Sequence, residues 1–289
     1  METILSEYGK YLKKQKLSDN TFASYMRDLD NFCSYIGKSD YEALTAADNG
    51  VLHSYIDEMR KKGKADSTIA RSVAALRKFY HYLFRKKYIS IDPTYGLDMP
   101  KPGKTIPGFI SASDVARLLD MPKAATLKGY RDKAMLELLY ATGIKASELI
   151  SLEISDIDLR SGLLSCRGRY IPLGKEAAES LNAYINKARP LMTDSSSEKT
   201  VFVNCSGSPL TRQGFWKILR SYAEAAGIKS EINAQTLRHS FAMHLLQNGA
   251  DISAVSEMLG HKDVATTRRY NQVLKENIKK IYKKAHPRA

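Results

Sequence analysis

Near the C-terminal end of the chain, three reactive side-chain types stand at fixed distances. The run Ala234-Gln235-Thr236-Leu237-Arg238-His239-Ser240-Phe241-Ala242 is followed by Leu259-Gly260-His261 and then by Thr266-Thr267-Arg268-Arg269-Tyr270. His261 comes 23 residues after Arg238, and Tyr270 comes 32 after it. A guanidinium fork fits two phosphate oxygens at once. A phenol hydroxyl can act as a nucleophile and hold a phosphoryl group as an ester. Moving a phosphodiester onto such a hydroxyl needs four things. The nucleophile must lie in line with the leaving 5′-oxygen, and cations must hold the non-bridging oxygens. A base must take the nucleophile's proton, and an acid must protonate the leaving group. Taken singly, each residue also fits a bland role: a packing tyrosine, a helix-start ion pair, a Gly-His helix cap. His239, His244 and His261 do not read as a metal site, because no cysteine or carboxylate stands at ligand spacing from them.

The Thr-Leu-Arg-His-Ser-Phe-Ala run, the Leu-Gly-His and the terminal tyrosine, with their spacing, resemble the core signature of tyrosine site-specific recombinases of the Xer and phage-integrase type. The resemblance extends over the whole chain. It implies that Tyr270 is the nucleophile, that Arg238 is one of two phosphate-binding arginines, and that His261 donates to a non-bridging oxygen. It gives His239 and His244 structural roles. The reaction it implies breaks and rejoins DNA strands through a 3′-phosphotyrosine link, with no metal or other cofactor. A phosphotyrosine ester keeps the bond energy, so a free 5′-hydroxyl can reseal the strand. The implied partners are double-stranded DNA and a homo- or hetero-tetramer on that DNA, joined through a C-terminal helix.

Three positions depart from that pattern. Ala141-Thr142-Gly143-Ile144-Lys145-Ala146-Ser147-Glu148-Leu149 matches the motif bearing the family's first arginine, but Lys145 stands in its place. Lysine keeps the charge and loses the bidentate fork. The family's β-hairpin carries a lysine that acts as general acid. Here the hairpin is short, and its turn offers only Arg167 and Arg169. Arginine is a poor proton donor, and Lys175 lies beyond Pro172 and Gly174. Third, the position three before Arg238, usually His or Lys, is Gln235, which cannot shuttle a proton. Losing one electrostatic stabiliser costs about 10²–10³ in rate, and losing acid–base help costs about 10²–10⁴. Two readings therefore stay open: an active recombinase, or a paralogue that binds DNA or a recombinase partner and cuts slowly or not at all.

The bulk numbers agree with a nucleic-acid partner. The chain has 289 residues, a formal net charge of +14 and a pI near 9.5. A polyanion is the simplest partner for such a charge, and the excess is spread over both halves. Cys33, Cys166 and Cys205 are scattered and odd in number, which argues for reduced thiols in the cytoplasm and against a disulfide framework. No apolar run approaches the roughly 18 residues needed to cross a bilayer, and the first residues lack a secretion signal.

The elements that must position these residues are mostly helices. Residues 1–97 read as a four-helix SAM-like core-binding domain, with helices over about Thr3–Lys14, from Ser18 or Asp19 to Ile36, near Asp48–Lys62, and from a Ser67 cap through Leu83. Lys61, Lys62, Lys64, Arg71, Arg77 and Lys78 lie on its polar faces as candidate phosphate contacts, which position a protein on a duplex without reading its sequence. Arg167, Arg169 and Arg212 are the corresponding candidates further on. The Pro- and Gly-rich stretch from Pro93 to Gly108 cannot sustain a helix; its residues 98–108 form the interdomain linker. Residues 109–289 read as a mostly helical catalytic domain with a small hairpin. Its expected elements are a helix capped at Ser113-Asp114, helices over Tyr130–Thr142 and Lys145–Leu149, the hairpin Leu163–Cys166 with Arg169–Leu173, and a helix over Lys175–Lys187. A loop at Ser195–Lys199 and a strand at Val201–Val203 follow. Helices over Phe215–Ala226, Thr236–Asn248, Ile252–Leu259 and Ala265–Tyr270 complete it, before a basic amphipathic tail from Leu274. The fold class is mainly α.

Overall fold

The computed structural model describes residues 4–15, 17–37, 41–100, 108–193 and 198–260. The chain divides into two compact units between Thr105 and Ile106. The Ala265–Tyr270 helix, the tail from Leu274 and most of the 98–108 and 195–199 segments lie outside the described residues.

The first unit is built from apolar stripes at helical spacing. It contains α1 (Ile4–Lys14), α2 (Asp19–Ile36), α3 (Tyr41–Ala46), α4 (Asn49–Lys61) and α5 (Asp66–Arg85). Ser18 caps α2 by accepting from the Thr21 N–H, and Gly37 ends it in the left-handed region, where glycine carries no Cβ penalty. Asp48 caps α4. Helices α2 and α5 pack together. Leu29, Phe32, Leu52, Ile69, Val73, Leu76, Phe79 and Leu83 are fully buried in their shared core. Two expectations need correcting. The short α3 was not foreseen, and α5 starts at Asp66 after Ala65 with no side-chain cap, so Ser67 lies inside the first turn rather than before it. The stretch from Pro93 is also not all linker: Asn49 Nδ2 donates to the carbonyls of Pro93 and Tyr95 at 3.0 and 3.1 Å, and Leu97 is buried in the unit's core.

The second unit is organised around α7 (Leu127–Thr142), which Thr126 caps and Gly143 ends. A helix buried around most of its girth belongs in a core; Ala134, Met135, Leu136, Leu138 and Leu139 are all fully buried. Around it lie α6 (Ala112–Asp120), α8 (Ala146–Ile150), α9 (Lys175–Ala183), α10 (Arg212–Ala225), α11 (Ala234–Gln247) and α12 (Ile252–Leu259). The α6 cap is Ser111, which accepts from the Asp114 N–H, and not Ser113. A π-helical turn over Tyr184–Ala188 extends α9.

The sheet has three antiparallel strands in the order β1 (Ile157–Asp158), β2 (Leu163–Cys166) and β3 (Arg169–Pro172). Its register pairs Leu164 with Ile171 and Cys166 with Arg169. The β2–β3 turn is two residues, Arg167 and Gly168, at φ 49° and 77°. Positive φ at both central positions marks the tight turn that suits the twist of a hairpin.

Val201–Val203 does not form the expected strand. Val203 makes a lone bridge to Pro209, flanked by bonds from the Asn204 N–H to the Ser208 carbonyl at 2.7 Å and from the Leu210 N–H to the Phe202 carbonyl at 3.0 Å, while the Val201 N–H turns to the Leu152 carbonyl at 2.7 Å. Buried side-chain donors take other carbonyls of the segment. Tyr184 Oη donates to the Val201 carbonyl at 3.0 Å, and Arg131 Nη1 donates to that of Val203 at 3.2 Å.

Candidate functional site

Arg238 lies on the buried face of α11, because Asn233 caps the helix by accepting from the Thr236 N–H at 2.9 Å and fixes its start. The side chain is 2% exposed. Its Nη1 donates to the Gly143 carbonyl and its Nη2 to the Leu259 carbonyl. Gly143 ends α7, two residues before Lys145; Leu259 ends α12, two residues before His261. One guanidinium thus ties the loop carrying Lys145 to the chain entering His261. Phosphate contact by Arg238 requires the guanidinium to share or exchange these carbonyls.

Arg169, on β3, reinforces the same junction. Its Nη2 donates to Glu148 Oε2 at 2.8 Å and its Nη1 to the Leu259 carbonyl at 3.1 Å. Glu148 Oε2 also accepts the Lys145 N–H at 2.8 Å. The close fit leaves no room at Gly260, where a Cβ would come within 1.6 Å of Arg169 Nη1. Sequence reasoning treated Arg169 as a DNA contact, but its guanidinium faces inward as a strut. The missed partner is Glu148. A glutamate three residues after the position preceding a short helix is a capping signal, and it was legible in Lys145-Ala146-Ser147-Glu148.

Lys145, Arg212 and Gln235 line one groove of about 350 Å³, together with Ser147, Trp216 and Asn233. Lys145, Arg212 and Gln235 are exposed. Gln235 Nε2 lies 2.7 Å from His239 Nε2. Burial holds the His239 imidazole below its ordinary pKa, opposed by a hydrogen bond with the Gly108 backbone. The neutral ring can therefore accept from the Gln235 amide. His244, one turn on, is also held down by burial, and its Nδ1 lies 2.8 Å from Tyr140 Oη. Burial raises the Cys166 thiol, so it behaves as a small core side chain. Arg167 is exposed at the hairpin tip. His261 and Tyr270 lie outside the described residues. No group of three or more potential metal ligands occurs among the described residues.

In the first unit the candidate cations separate. Lys61, Lys62 and Lys64 are exposed and Lys78 is half-buried; Lys62 Nζ sits 3.1 Å from Glu58. Arg71 lies at the surface but is paired to a buried carboxylate: its Nε and Nη2 donate to the two oxygens of Asp28 at 2.8 and 2.9 Å. Arg77 donates to the Leu97 carbonyl. Both were expected on the solvated basic face, and both instead hold the unit together.

Comparison with known proteins decides the family. The Phage integrase family profile matches residues 108–277, and the profile of its N-terminal SAM-like domain matches residues 5–87. Proteins named tyrosine recombinase XerD from Staphylococcus aureus and Staphylococcus haemolyticus are 40% identical over 295 residues, covering 100% of both chains. The chain belongs to the tyrosine recombinase family. Solved recombinases share its fold. XerH bound to a palindromic difH substrate aligns at TM-score 0.74 and 21% identity, over 90% of this chain and 78% of that one. A lambda integrase dimer bound to a COC′ core site aligns at TM-score 0.70 and 16% identity, over 91% and 95%. Tyrosine recombinases act in site-specific DNA recombination, and that is the activity class the family gives this chain. Among the described residues, no helix of this recombinase is long and apolar enough to cross a membrane.

Proposed function

We propose that this chain cleaves and rejoins DNA at a specific site, with Tyr270 holding the cut strand as a 3′-phosphotyrosine ester. The observation that carries the reading is the Arg238 junction. One buried guanidinium joins the Lys145 loop to the end of α12, so residues far apart along the polypeptide share one site. In this reading Arg238 and Lys145 stabilise the phosphate, His261 donates to a non-bridging oxygen, and Gln235 supplies a hydrogen bond where relatives carry a basic residue. Residues 1–97 act as the core-binding domain, 98–108 as the linker and 109–289 as the catalytic domain. Lys61, Lys62, Lys64, Lys78, Arg167 and Arg212 contact the phosphate backbone. The protein assembles on DNA as a tetramer through its C-terminal segment, in the cytoplasm where that DNA lies.

A second reading has its own support. Gln235 cannot shuttle a proton, Arg169 is turned inward, and the two-residue hairpin turn brings no lysine. These favour a recombinase-like protein that binds DNA and cuts poorly. A nicked duplex carrying the site recovered from a randomised pool separates the two. The cleaving protein leaves a covalent adduct that survives denaturant and disappears in Tyr270→Phe. The binding protein gives only a mobility shift that salt abolishes.

A further inference from the structure

We propose that Lys145 is the general acid of this site, delivering to the leaving 5′-oxygen the proton that the hairpin cannot supply. The inference rests on the cleavage reading above and assigns one of its steps.

A general acid must carry a proton that it can release. When a phosphodiester is passed to a phenol, the departing alkoxide needs a proton as the bond breaks. A guanidinium holds its protons too tightly to give one up, and a carboxamide N–H donates a hydrogen bond but is far too weak an acid to transfer its proton. Arg167, Arg169, Arg212 and Gln235 are excluded by chemistry. Arg169 is excluded again by geometry, since its Nη atoms point at Glu148 and the Leu259 carbonyl. His239 packs on Gln235, and its burial favours the neutral ring. Lys175 is 82% exposed beside Glu179 at the start of α9. Among the described residues lining the groove, Lys145 alone carries an ammonium.

The scaffold under Lys145 suits the role. Arg238 grips the Gly143 carbonyl. Glu148 grips the Lys145 N–H, and Arg169 braces that same carboxylate oxygen. Gly143 stands at φ +59°, where a Cβ would approach Phe241 Cδ1 to 2.4 Å, so the loop has little freedom to shift. The backbone is held from several sides while the side chain stays exposed on the groove. A flexible four-carbon stem on a fixed base can carry a proton across a short gap. Lysine in place of the expected arginine and the missing hairpin lysine then become a single exchange of duties.

The step balances. The Tyr270 oxygen bonds to phosphorus, the P–O5′ bond breaks, and its electron pair stays on O5′. The Lys145 ammonium gives a proton to O5′, yielding a 5′-hydroxyl and a neutral amine. The phenol proton leaves to solvent. The amine regains a proton from solvent, or from the 5′-hydroxyl when the strand is resealed.

The test compares wild type and Lys145→Arg on two nicked duplexes. One is ordinary; in the other a sulfur replaces the bridging 5′-oxygen, so that the leaving thiolate needs no proton. Lys145→Arg keeps the positive charge. It is expected to lose on the order of 10²–10⁴ in cleavage of the ordinary duplex and to return to within about tenfold of wild type on the sulfur duplex. Three results overturn the inference. In the first, Lys145→Arg cleaves the ordinary duplex as well as wild type, which makes position 145 only a cation. In the second, it is equally slow on both duplexes, which makes the role one of positioning. In the third, wild type reacts with the sulfur duplex alone, which leaves Tyr270 as nucleophile with no working acid. If wild type forms no adduct on either duplex, the cleavage reading itself falls, and this assignment with it.

Discussion

Arg71 and Lys64 are both basic residues of one short stretch of sequence, yet they do different work. The Asp28 carboxylate is 3% exposed and takes both arms of the Arg71 fork, while the Arg71 side chain is 38% exposed. A carboxylate out of water keeps its charge only with a partner in place. Removing one member of a fully buried pair costs about 3–5 kcal/mol. Solvent screening on the Arg71 side lowers the expectation for Arg71→Ala to about 2 kcal/mol, read from the urea midpoint of the first unit's unfolding. Lys64→Ala should leave that midpoint within about 0.5 kcal/mol. Nothing in local sequence separates the two cations, because the deciding carboxylate is 43 residues away. Arg238, by contrast, stands out by its motif, and what the motif did not disclose was that its partners here are main-chain carbonyls.

Among the elements, those with strong punctuation were read to the residue. Ile252–Leu259 and the end of α2 at Gly37 match their expected bounds, because an aspartate or serine cap and a left-handed glycine are local signals. Caps misread by two residues, Ser113 for Ser111, come from a Ser-Ala-Ser-Asp run with two candidates one turn from an N–H. Val201–Val203 failed as a strand because a ladder depends on the neighbouring segments, and here the backbone is shared between Leu152 on one side and Ser208–Leu210 on the other. The hairpin was read correctly, but the destination of Arg169 was not, since a strand residue's partners lie across the fold. That destination makes Gly260 a sensitive position. Gly260→Ala puts a methyl onto the Arg169 guanidinium at a φ of +63°. Strain at positive φ and the displaced strut together should lower the stability of the second unit by more than about 1 kcal/mol. Covalent adduct yield should fall further than unfolding alone accounts for. A Gly260→Ala protein with wild-type midpoint and wild-type adduct would remove Arg169 from the site's support.

At the scale of the molecule, the +14 charge announced a polyanionic partner before any motif was considered, but it could not say which cations are available to one. The second unit also carries a titration signature. His239 and His244 share α11, and burial holds both below the ordinary imidazole value. In the unfolded chain each protonates near pH 6.5. Between the folded and unfolded values the unfolded state binds more protons, so stability rises with pH across that window and is lost as pH falls through it. Thermal midpoints measured from pH 7 down to pH 5 should therefore decline. His244→Gln, which keeps a polar group near Tyr140, should flatten the decline. A curve that is level over this range, or unchanged in the variant, would remove the imidazoles as its source.

The Leu259 carbonyl accepts from both Arg169 and Arg238. An acceptor that belongs to the polypeptide backbone is present whatever residue the gene encodes at that position, so no codon change deletes it. Side chains that touch DNA enjoy no such insurance. A lineage can exchange the residues at 145 and 235 while the architecture beneath them persists, and the same framework can carry either a vigorous nuclease-ligase or a silent descendant of one.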